Sequence, residues 1–419
     1  MKHIGEISGS ALCTACGGCA AVCPVSAISM QENPAGFMVA VVDETVCVGC
    51  GQCRKVCPSV RSNTDKFAHR DLIHGVCLDG FVGYAANDAV RLGGQSGGVV
   101  TALLCHLLRS GEIDTALVAG FDEATRRPKG VLAETEAEDL ASAGSYYTQL
   151  PILPVLKQAK GKRVAAVTLG CQNEALTLME TAAPQLVPEY RIGLICAGQN
   201  SGTMIDDICC EAGCEAPTAF RFRDKKAGGW PGAITVTDAE GVHELPNKYR
   251  HQIKPVYECH RCLLCFDQMN TCADVVCGDP WGITGKDTPE GHTVLLARTE
   301  KGMALLKAAE AAGAIVLERL PITDIMRGQT VNDRHRDKVY AAKEVYEREG
   351  WRYPYDKLLM EEYIPDKKAM AKNEPKLYYT REYYLAETKE AAASLAEAKK
   401  HEKPPASVRI KKWLKKIRK

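Results

Sequence analysis

The chain has 419 residues, 46% of them hydrophobic and 25% charged, with 20 cysteines and a net charge of +1. A length beyond one ordinary domain of roughly 100–200 residues predicts two or three units with sizeable cores. No stretch reaches the roughly 18 uninterrupted apolar residues of a membrane span, and the opening MKHIGEISGSALCTACGG lacks the apolar run of a signal peptide, so a reducing, cytoplasmic compartment is expected. There, so many cysteines point to metal or redox ligands rather than disulfides. The net charge hides a basic tail: Lys403 to Lys419 holds eight Lys or Arg and no acid, which leaves −7 on the rest. Nothing else in the chain suggests nucleic acid.

The first element is a repeat. CTACGGCAAVCP (13–24) returns 34 residues later as CVGCGQCRKVCP (47–58). Both read C-x2-C-x2-C-x3-C-P, the ligand spacing of a bacterial two-cluster ferredoxin. In that arrangement the fourth cysteine serves the other cluster. Cys13, Cys16 and Cys19 are therefore expected to share one 4Fe-4S cluster with Cys57, while Cys47, Cys50 and Cys53 share a second with Cys23. A pair of zinc knuckles also takes four thiolates, but such sites usually pair two C-x2-C units and need neither the third cysteine nor the trailing Cys-Pro. Residues 1–62 are expected to form an α+β, ferredoxin-like domain, and polar residues 63–80 a linker.

From residue 81 the pattern alternates. FVGYAA (81–86), DTALVAG (114–120), RVAAVTLG (163–170) and YRIGLICAG (190–198) read as buried strands, with apolar-faced helices at 97–111 and around EALTLMETA. A β-rich patch spans 219–238, and 292–320 supplies another strand, helix and strand. The alternation predicts an α/β domain with a mixed sheet over 81–330. A helical extension is expected over 331–419, and its tail places Ile410, Trp413, Leu414 and Ile417 on one face of a basic amphipathic helix. Such a helix suits an anionic membrane surface or an acidic groove on a partner. A frayed, solvated terminus is the alternative.

Gly94-Gln95-Ser96-Gly97-Gly98 matches the G-x-S-x-G of a hydrolase nucleophile elbow. No strand runs into it, and no Asp and His stand out as partners. A glycine turn at a helix N-terminus, holding an anion such as a cofactor phosphate, is the expected role, against a turn that serves geometry alone. A further cysteine group begins at Cys259. Cys259, Cys262 and Cys265 repeat C-x2-C-x2-C, but Met269 stands where a fourth thiol would complete the run. Cys272 and Cys277 lie near in sequence, and Cys171 and Cys196 close two predicted strands, where α/β sheets place functional groups. Cys77, Cys105, Cys209, Cys210 and Cys214 read as small buried apolar residues.

Taken in order, GGQSGGVVTALL (93–104), GCQ (170–172), GLIC (193–196), the group Cys262, Cys265, Asp267, Ala273, Asp274, Gly278 and Asp279, and ARTEKG (297–302) resemble the beta subunits of coenzyme F420-reducing hydrogenases and dehydrogenases. The resemblance covers about residues 81–320. It implies FAD, with FMN the alternative, beside a third 4Fe-4S cluster. By position, Gly94, Ser96, Gly97, Gly98 and Thr101 become flavin-binding candidates, and Cys262 and Cys265 cluster ligands with Cys171 and Cys196 as companions. Gly170 stands where the family shows proline, and the extra Cys259 competes for a ligand position. Arg221, Arg223, Lys225 and Lys226 are candidates to stabilise reduced flavin, and Trp230 to cover a planar ring.

The function so implied is an iron-sulfur flavoprotein oxidoreductase, coupling single electrons to hydride exchange with coenzyme F420 or another conjugated substrate. Its expected partners are small electron-carrier proteins or other redox subunits, and no catalytic residue is assigned. A non-catalytic electron-transfer subunit is the first alternative, and a binding module that uses clusters as staples the second.

Overall fold

The computed structural model describes residues 3–61, 73–355 and 362–402. In it each cysteine run enters one helical turn, Gly18–Ala21 in the first and Gln52–Lys55 in the second, and both turns start from a glycine with positive φ. Between the runs, β1 (Ile28–Glu32) and β2 (Met38–Val42) pair antiparallel with Ile28 opposite Val42.

Eight strands make the main sheet: β3 (Asp79–Ala85), β4 (Thr115–Asp122), β5 (Arg127–Ala133), β6 (Val164–Thr168), β7 (Tyr190–Leu194), β11 (Val275–Gly278), β12 (Thr293–Ala297) and β13 (Ile315–Arg319). Their order is β13-β3-β12-β11-β7-β6-β4-β5. The middle four, β11, β7, β6 and β4, run parallel; the strands outside them pair antiparallel. The parallel strands are continuous apolar runs because helices cover both faces. On one face α1 (Val99–Arg109) buries Val99, Leu103 and Leu107; on the other α2 (Gly170–Ala182) buries Leu176 and Met179. The strand predicted at 81–86 is not a neighbour of that at 114–120. It lies between β13 and β12, and starts at Asp79, inside the stretch expected as linker.

A second sheet of β8 (Ala219–Asp224), β9 (Ala233–Asp238) and β10 (Gly241–Leu245) is antiparallel throughout. It shares a core with α3 (Thr203–Glu211) and α4 (Asn247–Tyr257). The C-terminal helices α5 (Arg336–Glu349), α6 (Lys367–Tyr384) and α7 (Lys389–His401) read from sequence as an extension, yet Val345, Tyr346 and Leu377 join Ile4, Ile7 and Leu12 in one core. They cover the cysteine-rich unit, and His260 ties them to the middle of the chain through Thr380 (2.9 Å) and Tyr346 (2.6 Å). Among the described residues no helix is long and apolar enough to cross a membrane. The apolar face of Ile410, Trp413, Leu414 and Ile417 lies outside the described residues.

Candidate functional site

The thiols expected to hold clusters fall into three groups. Cys13, Cys16 and Cys19 sit buried on one loop, and Cys57 lies with them: burial, and then the nearby charges of Cys16 and Cys13, push its thiol up. Cys19 is pushed up by burial and by Cys16, Cys13 and Cys57. Cys23, Cys47, Cys50 and Cys53 line a single concavity on the other side of the unit. The Ala15 amide donates to Cys13 Sγ (3.4 Å) and the Ala27 amide to Cys23 Sγ (3.2 Å). Crowded thiols that would repel as anions, with backbone N–H groups turned on the sulfur, are a donor set suited to an iron-sulfur cluster.

The third group gathers Cys171, Cys196, Cys262 and Cys265. The Cys171 thiol is raised by burial, then by Cys16, Cys265, Cys262 and Cys196. Burial pushes Cys196 up to about 11 and Cys265 up to about 12. Cys262 moves the other way, downward, because Cys259 donates to it and the Gln199 amide adds a second hydrogen bond (3.4 Å). Cys259 itself is fully buried and accepts from Gln149 Nε2 (3.2 Å). Cys277 lies within β11, and burial alone raises it to about 12.

Cys16 joins the first group to the third. Its carbonyl accepts from the Leu153 amide (3.3 Å), and the Gly18–Ala21 turn packs on α2, whose first turn carries Cys171. Gly17 makes this docking possible. Its φ is +79°, and a Cβ there would stand 2.5 Å from Cδ of Pro154. Arg261 lies between these groups, fully buried, and its positive charge reaches Cys13 and Cys265. It donates to Ser59 Oγ (3.0 Å) and Tyr355 Oη (3.3 Å).

The glycine turn lies elsewhere, between a helical turn (Asp88–Gly93) and α1. Gly98 has φ +76°, and a Cβ on it would lie 2.6 Å from the Val90 carbonyl, so no larger residue fits. Ser96 is not a nucleophile held by histidine: its hydroxyl donates to Asp279 Oδ1 (2.5 Å). Asp279 also takes a two-pronged ion pair from Arg223 (2.6 and 2.9 Å) and the Trp230 indole N–H (3.1 Å). Despite burial, the Arg223 guanidinium holds the Asp279 carboxyl below its ordinary range. Lys225 donates to the carbonyls of Arg91, Ser96 and Glu290, and Arg221 to that of Gly93 (3.1 Å). Lys226 is exposed. Thr101 is buried in α1.

Sequence reasoning did not single out Tyr147, Arg250 or Trp281. The Tyr147 hydroxyl accepts from Arg223 (3.2 Å) and Gln95, the Arg250 guanidinium lies 4.3 Å from its ring centre, and Trp281 meets Trp230 at 4.6 Å between ring centres. The GDPWG stretch holding Asp279 and Trp281 was a local signal; Tyr147 and Arg250 have none. Tyr147 also links this basin to the third thiol group, because its carbonyl accepts from the Asn200 amide (2.8 Å) and Gln149, two residues on, reaches Cys259.

Residues 12–60 match a 4Fe-4S dicluster domain. Residues 81–157 match the N-terminal part, and 161–322 the C-terminal part, of the coenzyme F420 hydrogenase/dehydrogenase beta subunit. The coenzyme F420-dependent sulfite reductase of Methanocaldococcus jannaschii is 29% identical over 76% of this chain, which spans 49% of that relative. The beta subunit of the coenzyme F420 hydrogenase of Methanothermobacter thermautotrophicus is 28% identical over 56% of the chain and 81% of its own length. One subunit of the F(420)H(2) dehydrogenase of Methanosarcina mazei is 28% identical over 71% and 82%. In fold, the chain is similar to a subunit of the F420-reducing NiFe hydrogenase complex of Methanosarcina barkeri, with TM-score 0.53 and 24% identity over 68% of this chain and 99% of that one.

Proposed function

The chain belongs to the family of coenzyme F420 hydrogenase/dehydrogenase beta subunits, and from that membership we propose an oxidoreductase that joins single-electron carriers to a conjugated two-electron substrate, coenzyme F420 in the first place. The observation that carries the reading is the packing of the Gly18–Ala21 turn on α2, which brings the charge of Cys16 to bear on Cys171. It sets the N-terminal thiols against a second cysteine site inside the α/β domain, where an isolated ferredoxin unit would have no counterpart.

In this reading Cys13, Cys16, Cys19 and Cys57 hold one 4Fe-4S cluster, Cys23, Cys47, Cys50 and Cys53 another, and Cys171, Cys196, Cys262 and Cys265 a third. Cys259 then serves as donor to Cys262 instead of a ligand. The basin takes a flavin. A glycine turn heading α1, three guanidinium groups at Arg221, Arg223 and Arg250, and the paired indoles of Trp230 and Trp281 suit a planar cofactor that bears phosphate. A bound flavin supplies the conversion between hydride transfer and single electrons. The chain's own part is electrostatic and spatial. Arg223 and Arg250 offset negative charge, Asp279 orients Arg223, Trp230 and Ser96, and Lys225 fixes the loop that carries Ser96. Partner subunits or small electron-carrier proteins are expected at the outer cluster.

The test is anaerobic purification with iron, acid-labile sulfide and flavin quantified, then a screen of electron acceptors that includes coenzyme F420. Iron for three clusters, bound flavin and reversible reduction of coenzyme F420 are expected. Arg223→Met should release the flavin with the iron retained, since breaking a buried ion pair typically costs about 3–5 kcal/mol locally. Zinc in place of iron, or no flavin in oxygen-free protein, overturns the reading. Competent clusters without exchange at any organic acceptor would favour a pure electron-transfer subunit.

A further inference from the structure

Cys214, Asp238 and His243 meet at the far end of the second sheet, outside the basin and the three thiol groups. One ligand atom from each lies within 4.8 Å of those of the other two. They come from three separate segments: the turn after α3, the end of β9, and β10. Cys214 read from sequence as a small apolar residue, and it is indeed buried, but its sulfur faces the two polar groups from the core side while Asp238 and His243 close the site from outside. His243 Nε2 lies 3.0 Å from Asp238 Oδ1, and the amides of Glu240 (2.9 Å) and Gly241 (3.2 Å) hold that carboxylate in place.

We propose that Cys214, Asp238 and His243 form a binding site for a zinc ion that clasps α3 to the β9–β10 hairpin. Thiolate, carboxylate and imidazole together are ligands zinc accepts at one tetrahedral centre, and the two anionic ligands balance its charge. The carboxylate is already oriented by backbone amides, as supporting hydrogen bonds orient ligands in metal sites. On binding, the Cys214 S–H proton leaves to solvent and a sulfur–zinc bond takes its place, with no change of oxidation state. Water fills the fourth position. The clasp would be structural. β9 pairs with β8, which carries Arg223, so zinc here would steady the strand that meets Asp279.

The test uses the full chain, purified anaerobically with its iron retained, given zinc, passed through a desalting column, and assayed for both metals. A zinc ion that stays bound, with one sulfur in its X-ray absorption shell, is expected. Cys214→Ser and His243→Gln should each weaken zinc in competition with a chromophoric chelator by more than the ~10–100-fold typical of losing an outer-shell partner, with iron unchanged. His243 is a partly exposed surface residue, so its variant keeps the test decisive should Cys214→Ser fail to fold. No retained zinc, retention unaltered by His243→Gln, or a shell of four sulfurs, which would place the ion in a cluster site, overturns the proposal.

Discussion

The two halves of the cysteine repeat share one spacing and meet opposite surroundings. In the first, Cys13, Cys16 and Cys19 are buried, their loop docks on Pro154 and α2, and the fully buried Arg261 stands beside them. In the second, Cys53 is buried but Cys50 is exposed and Cys47 half-buried, and Arg54, beside Cys53 in sequence, pairs with Glu6 near the surface. The spacing specifies what each half can hold; packing decides which way each half faces. An outward half fits exchange with another molecule, and an inward half fits delivery to Cys171 and its companions, so the asymmetry gives the proposed electron path a direction in space.

The largest effect should come from breaking the inward half. Cys16→Ser is expected to remove one cluster's iron and to stop electron flow from any external donor to the organic acceptor. Cys50→Ser should also remove one cluster's iron, yet it should spare flow from a small viologen dye while stopping flow from a protein carrier. Metal analysis with the two donors compared checks this, and equal loss with both donors in Cys50→Ser would erase the distinction between the halves.

A smaller effect is expected at Arg261, the buried charge that the outward half lacks. Arg261→Met leaves the buried Ser59 and Tyr355 hydroxyls without their donor and should destabilise the fold by about 1–3 kcal/mol. It should also lower the reduction potentials of the inner and third clusters, because a nearby cation favours the more negative, reduced state; the outer cluster should not move. Redox titration followed by electron paramagnetic resonance reads each cluster, and Arg261→Lys should restore part of the shift.

Much of this was legible locally. Ligand spacing is a property of a single loop, so Cys13, Cys16 and Cys19 announce themselves, and the apolar runs of β4, β6 and β7 are continuous because both faces are covered. Strand order was not legible: nothing in FVGYAA says that β3 lies between β13 and β12, since antiparallel neighbours more than 200 residues apart leave no local pattern. The same holds for the basin. GGQSGG and GDPWG mark two of its walls, but Tyr147 and Arg250 reach it through tertiary packing from segments without a motif. The C-terminal helices misled for a related reason. Their surfaces are rich in charge, yet Tyr340, Val345 and Tyr346 form a buried stripe that only the cysteine-rich unit and its neighbours complete.

The smallest effect is expected at the outward half's own ion pair. Arg54 and Arg352 both engage Glu6, Arg352 at 3.2 Å, and tie the second cysteine turn to the N-terminal helical turn and the C-terminal region. The Arg54 guanidinium, ahead of Arg352, holds the Glu6 carboxyl below its ordinary value of 4.5. A carboxyl with a depressed folded-state pKa binds its proton more readily when unfolded. Its contribution is therefore fully present above about pH 4.5 and lost as the pH falls through the lower, folded-state value. These side chains are partly exposed, so Glu6→Gln should cost only about 0.2–1 kcal/mol at neutral pH. Denaturant unfolding of the two proteins should differ by that amount at pH 7 and converge below pH 4.5, whereas a gap that persists in acid would assign the loss to packing of the Glu6 side chain and not to its charge.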